Sequence, residues 1–228
     1  IKTIFAINGS PNKNRNTATL MKWVVEGVES KGIDVEWINV ADMDLNYCKG
    51  CHACLKTGSC VQKDDIHELI KKLENADGVI VGSPVYESGP SAQLKTIMDR
   101  ITLLCLYAGI MDDKLSVGVS TSGVAPTKKV AKTISSIFGR RVGIIGAKTA
   151  SIKGGYSKLT DKNDEKTRRD AQELGKELAK KCLNGELGFS LKAKWIHFLR
   201  TKLLKRLIVN NQEEFAGVID IWKEKGWL

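Results

Sequence analysis

Four thiols, Cys48, Cys51, Cys54 and Cys60, fall within thirteen residues of one loop, separated by two, two and five positions. Thiols so close along a chain can bend round one inorganic centre, and thiolates are the ligands of iron–sulfur clusters. Gly50 and Gly58 sit inside the run and supply the backbone freedom that a tight wrap demands. A 4Fe–4S cluster, a disulfide or redox-sensing thiol set, and zinc all remain open on this pattern. Structural zinc sites draw ligand pairs from well-separated places, whereas these four thiols share one loop. Structural disulfides belong to oxidising compartments. The spacing therefore favours the cluster. Cys105 and Cys182 fall on helical patterns and read as core thiols. His52, His67 and His197 are scattered, and no nucleophile or general-acid constellation is visible.

The elements around that loop alternate. Lys2 to Asn8 is a short β-type run that meets Gly9, Ser10 and Pro11, and a polar stretch then leads into apolar positions at helical spacing from Leu20 to Val28. A polar loop feeding a helix N-terminus offers free N–H groups and the positive end of the helix dipole to a phosphate. Ser10, Asn16 and Thr17 add donors, although a plain capped turn has the same appearance. The loop follows neither the Walker A nor the Gly-x-Gly-x-x-Gly spacing.

The cysteine loop follows a second strand over 34–40, and Asp64 and Asp65 open the next helix with acids where the dipole favours them. Gly78 to Gly82 is a continuous apolar run, as in a strand buried on both faces, and it leads into a polar loop over 83–90. Leu115 to Val119 leads into a similar loop over 120–126, and a fifth strand spans 143–150. Helices are expected from about Ser91, over 128–138 and over 164–183. Five βα units argue for a doubly wound parallel sheet with ligands at the carboxyl ends of its strands. In the order 2-1-3-4-5 the loops after strands one, three and four converge where that fold takes flavin mononucleotide.

The net charge of +10 is compatible with anionic partners, but no aromatic-bearing nucleic-acid motif accompanies it, so nucleic acid is not expected. No apolar run reaches membrane-spanning length. The first segment does not read as a signal peptide, so the cysteines point to a cytoplasmic protein with metal or redox use. After Gly185 the βα pattern ends. Trp195, Phe198, Leu199, Leu203 and Leu207 form a stripe among Lys192, Lys194, Arg200, Lys202, Lys205 and Arg206, and Asn210-Asn211 breaks it before Phe215, Val218, Ile219 and Trp222. The expected organisation is a nucleotide-binding domain over 1–183, carrying the cysteine loop 47–61, and a basic amphipathic extension over 184–228. The extension reads as an arm packed on its own domain or on a neighbouring subunit, with a basic amphipathic helix lying on a membrane surface as the alternative.

Taken together these motifs resemble the iron–sulfur flavoprotein branch of the NAD(P)H-dependent FMN reductase-like, flavodoxin-fold family. The carrying residues are Asn8-Gly9-Ser10-Pro11 with Asn16-Thr17, the four cysteines with Asp64-Asp65, Ser83-Pro84-Val85-Tyr86, Ala92 to Arg100, and Ser120-Thr121-Ser122-Gly123. The resemblance implies FMN and a 4Fe–4S cluster, the latter on Cys48, Cys51, Cys54 and Cys60. It implies that Ser10, Asn12, Asn16 and Thr17 hold the FMN phosphate, with Lys13 or Arg15 offsetting its charge. Pro84, Val85, Tyr86 and Glu87 would lie along the isoalloxazine ring, and Thr121, Ser122 and Gly123 would close its other side. Glu87 departs from the pattern, since an aromatic often follows the tyrosine. Asp99 and Arg100 read as a structural pair on a helix surface or at an interface. The implied function is electron transfer by a homodimer or homotetramer, with ferredoxin or NAD(P)H as donor and a quinone, O2 or peroxide as acceptor. The alternatives are an NAD(P)H-dependent FMN or quinone reductase without cluster, and a thiol-based redox sensor.

Overall fold

Strands β1 (Ile4–Asn8), β3 (Gly78–Pro84) and β4 (Leu115–Ser122) are buried along nearly their whole length. Helices cover both of their faces, so their sequences run apolar rather than alternating. β2 (Val35–Asn39) and β5 (Arg140–Lys148) flank them and are half-exposed. All pairings are parallel and the order is β2-β1-β3-β4-β5, as expected. This computed structural model describes residues 2–149, 157–186 and 191–228, and only the backbone of 191–197 and 199–200.

Helices α1 (Asn16–Glu29) and α6 (Glu165–Leu183) cover one face of the sheet, where Leu20, Trp23 and Val24 meet Leu178 and Cys182. Helices α3 (Ile66–Glu74), α4 (Ala92–Leu103) and α5 (Thr127–Ile137) cover the other. A short helix, α2 (Ala53–Thr57), lies inside the cysteine loop. Several strand boundaries differ from expectation: β1 starts at Ile4, β2 spans Val35–Asn39 and β5 ends at Lys148. β3 and β4 run on to Pro84 and Ser122 because Ser83 pairs with Ser120 and Pro84 with Thr121, so polar residues extend the ladder. β5 starts at Arg140 rather than Gly143, because Arg140 is in register with Leu115. Ala150, expected to end that strand, lies outside the described residues.

The C-terminal extension forms α7 (Leu191–Asn210) and α8 (Ala216–Glu224), with the break at the expected asparagines. Phe198, Leu203 and Leu207 of the expected stripe are exposed, whereas Ile208 is fully buried and Leu204 packs beside it. The side chains of Lys192, Lys194, Trp195, His197, Leu199 and Arg200 lie outside the described residues. α8 docks Val218 and Trp222 on a π-helical segment, Leu104–Ala108. The Trp222 indole N–H donates to the Tyr107 carbonyl at 2.8 Å, and Lys225 Nζ donates to the Gly109 carbonyl at 2.9 Å. Among the described residues no helix is long and apolar enough to cross a membrane.

Candidate functional site

The carboxyl ends of β1, β3 and β4 are joined by hydrogen bonds rather than by apolar packing. Gly9 N–H donates to the Gly82 carbonyl at 2.8 Å. Ser91, the N-cap of α4, donates its hydroxyl to the Gly9 carbonyl and accepts the Leu94 N–H at 3.2 Å. Its own N–H donates to Ser83 Oγ at 2.9 Å. The hydroxyls of Thr17 and Thr121, both buried, lie 2.7 Å apart, and Val85 N–H donates to the Thr121 carbonyl at 2.8 Å. Three loops distant in sequence are thus held as one rigid rim. Thr17, Val85 and Thr121 are brought together directly, and Ser10 is tied to β1 through Asn8, whose side chain accepts its N–H at 3.1 Å. The sequence marks Ser83 only within its motif and Ser91 only as a helix start, with no role in the site for either, although a serine just before a helical apolar pattern is an N-cap signal.

Other expected flavin residues occupy distinct places on that rim. Asn12 N–H donates to Ser10 Oγ at 3.1 Å, closing the turn before α1. Arg15, at the N-cap of α1, provides no side-chain acceptor, so the first turn of the helix remains suited to an anion. The Asn16 amide spans the chain after β5, donating to the Ser157 carbonyl at 2.8 Å and accepting from Leu159 N–H at 3.0 Å. Lys13 pairs with Asp42 at 2.6 Å and links this loop to the turn between β2 and the cysteine loop. After Pro84, Tyr86 and Gly89 exchange backbone hydrogen bonds around Glu87 and Ser88, whose φ angles are +44° and +62°. Two left-handed non-glycine residues cost of order 1–3 kcal/mol each and project a half-exposed Tyr86 from the rim. Ser122 Oγ donates to the Ala125 carbonyl at 2.7 Å and shapes the turn holding Gly123. A groove of about 940 Å³ lies on the flank of β5 and α6, and none of the strand-end residues lines it. The strand-end chemistry locates the site better than size does.

The cysteine loop leaves the end of β2, next to the β1 loop. Gly50 and Gly58 take φ of +62° and +73°, as expected from their position among the thiols, and His52 takes +56° at the start of α2. Cys48 and Cys51 are exposed, while Cys54 and Cys60 are half-buried. Burial pushes the Cys54 thiol pKa up, and Cys60, Cys51 and Cys48 push it further, so the charge of the other three sulfurs reaches Cys54. A cationic centre would offset that effect once the thiols ionise. Among the described residues no three His, Cys, Asp or Glu side chains gather round a single metal-ion position. A cluster that takes each thiolate on a different iron does not require such convergence. The donor set therefore fits a cluster.

Two supports of this loop were not apparent in the sequence. The first is a buried ion pair. Arg100 donates through Nη1 to Asp64 Oδ2 and through Nη2 to Asp64 Oδ1, at 2.7 and 2.9 Å, and neither side chain has exposed surface. Nη1 also donates to the Asn46 carbonyl at 2.7 Å. Burial opposes the charge of Asp64, but Arg100 and the N–H groups of Asn46 and Ile66 overcome it and hold the carboxyl well below the usual carboxylate range. Arg100 is therefore not a surface partner of Asp99, which pairs with Lys95 instead. Asp65 turns back to accept the Asp44 N–H at 2.8 Å, so both acids brace the cysteine loop more than they serve the helix dipole. The second support is α8. A Cβ on Gly217 would lie 1.9 Å from the Gly58 nitrogen, so only glycine lets α8 approach the loop so closely. An arginine flanking the inward stripe of α4 was the available signal for the first support.

Five parallel strands in this order, with a polar rim at their carboxyl ends, define a flavodoxin-like fold. A flavodoxin from the domain Archaea superposes with a TM-score of 0.51 at 18% identity, covering 79% of this chain and 98% of that one. Residues 3–156 match the NADPH-dependent FMN reductase family. An iron–sulfur flavoprotein of Methanosarcina thermophila is 33% identical over 59% of this chain and 70% of its own length. One from Archaeoglobus fulgidus is 29% identical over 97% of this chain and 98% of its own, the C-terminal extension included. One from Methanocaldococcus jannaschii is 45% identical over 42% of this chain, and the match spans only half of that relative. The chain belongs to the iron–sulfur flavoproteins of the FMN reductase family.

Proposed function

We propose that the protein is a flavin-dependent oxidoreductase with FMN on the rim of β1, β3 and β4 and a 4Fe–4S cluster on Cys48, Cys51, Cys54 and Cys60. The observation that carries this reading is four free cysteines, two exposed and two half-buried, on one loop that leaves β2, the strand next to β1 and its part of the rim. When bound, FMN exchanges one or two electrons and the cluster one at a time, so the pair converts between hydride-type and single-electron chemistry. Ser10, Asn12, Asn16 and Thr17 would hold the phosphate at the start of α1. Pro84 to Glu87 and Thr121 to Gly123 would hold the ring, and their hydrogen-bonded rim would keep it oriented. The same reading gives ferredoxin or NAD(P)H as donor, a quinone, O2 or peroxide as acceptor, and a cytoplasmic homodimer or homotetramer. The charge of +10 favours an acidic donor protein by long-range attraction.

The test is iron, acid-labile sulfide and FMN per chain in protein purified without oxygen. About four, four and one are expected. FMN without iron or sulfide, after attempted reconstitution, would leave the second reading, an NADPH-dependent FMN or quinone reductase with free thiols, which the activity named for the matched family favours.

A further inference from the structure

Arg100 presents a buried cation to the cysteine loop, with three of its five N–H donors bonded and its Nε unpartnered. Its two Nη groups are taken by Asp64 and the Asn46 carbonyl. Its Nε is buried and has no hydrogen-bond partner among the described residues. The Nη bonds hold the guanidinium at the base of the cysteine loop, between Asn46 and Asp64, and Cys60 is among the groups that act on it electrostatically. Native structures rarely leave a buried donor unmatched, and such a donor beside a ligand site is commonly completed by what binds there. Asp64 grips the outer fork of the guanidinium, which fixes the side chain and leaves Nε free.

We propose that Arg100 is a positioning residue for the cluster, directing its Nε–H and its charge at the Cys60 corner and raising the cluster's reduction potential. The inference rests on the cluster reading above. Thiolate-bound iron–sulfur centres gain negative charge on reduction, and nearby N–H donors and cations favour the reduced form. Burial strengthens the effect, because water does not screen the guanidinium. Asp64 partly offsets the charge but does not supply a donor to sulfur, so the Nε–H contribution remains.

The experiment uses Arg100→Gln and Arg100→Lys in the full chain, loaded with iron and sulfide without oxygen. Iron and sulfide are counted first, and the midpoint potential is then read by EPR-monitored redox titration. Arg100→Gln at full loading is expected to show a reduced-to-oxidised ratio about tenfold lower at fixed poise, equivalent to about 59 mV for one electron. Arg100→Lys keeps the charge but has no Nε–H, and its potential is expected between the two. A fully loaded Arg100→Gln protein with the wild-type potential overturns the proposal. If Arg100→Gln takes up no cluster, the loaded Lys variant decides: a lowered potential supports the proposal and an unchanged one overturns it. Wild type that binds FMN but takes up no iron overturns the cluster reading and this proposal with it, and that failure is visible before any variant is titrated.

Discussion

Replacing Asp64 by Asn tests whether the ion pair, rather than the apolar packing around it, fixes the cysteine loop to α4. The carboxylate accepts five hydrogen bonds, two from Arg100, two from Asn46 and one from Ile66. The amide removes the charge and can set an N–H against the guanidinium, leaving a buried cation uncompensated. Breaking a buried pair in this way costs about 3–5 kcal/mol. For a chain of this size that corresponds to a fall in Tm of roughly 6–20 °C. Removing both charges, as Asp64→Leu with Arg100→Met, is expected to restore most of the loss, because a buried pair contributes little over well-packed apolar groups. The assay is circular-dichroism melting of metal-free protein, so that bound cofactor adds no stabilisation of its own. The pH series carries a sign. The folded-state pKa of Asp64 is depressed, so the pair's contribution is complete above the unfolded value of about 3.9 and is lost as pH falls below it. The Tm gap between wild type and Asp64→Asn should therefore close in acid. A Tm within 2 °C of wild type at pH 7 would refute the argument, as would a double variant as unstable as the two singles combined.

Four further outcomes follow from the same geometry. Cys51→Ala should abolish iron and sulfide while leaving FMN bound, and loss of both together would contradict two separate sites. Gly217→Val should lower iron per chain at unchanged FMN, because its Cβ would strike the Gly58 nitrogen and the Thr57 carbonyl carbon, backbone atoms that cannot move aside. Thr17→Val keeps the shape of the side chain but removes the 2.7 Å contact with Thr121; fluorescence titration should show FMN affinity weakened roughly two- to tenfold. Burial, with Asp77 adding to it, pushes the Cys182 thiol up to about 12. Alkylation of folded metal-free protein at pH 8 should therefore modify the exposed Cys48 and Cys51 and spare Cys182, as read by peptide mass spectrometry.

The sheet was legible because the central strands are short, apolar and bounded by Gly- or Ser-rich loops, its order because five βα units imply one doubly wound fold, and the cysteine loop from spacing alone. What supports that loop was not, because the supports depend on partners far apart in sequence. Asp64 and Arg100 are 36 residues apart. An arginine on the flank of an amphipathic helix reads as solvated until a loop covers it. Gly217 has an ordinary place in α8 and matters only because Gly58 comes up against it. The tail shows a different limit. Leu203 with Leu207, and Leu204 with Ile208, are both apolar i, i+4 pairs, so the pattern defines two stripes about 100° apart. Periodicity ranks them equally. Packing chooses the second, with Ile208 buried beside Leu204 and Leu203 and Leu207 left facing outward. The choice follows from where α8 fixes the end of α7, and α8 is fixed in turn by Trp222 on Tyr107 and by Gly217 on the cysteine loop. The tail's register is therefore set by the same contacts that brace the thiols, so a lesion in either should be felt by the other.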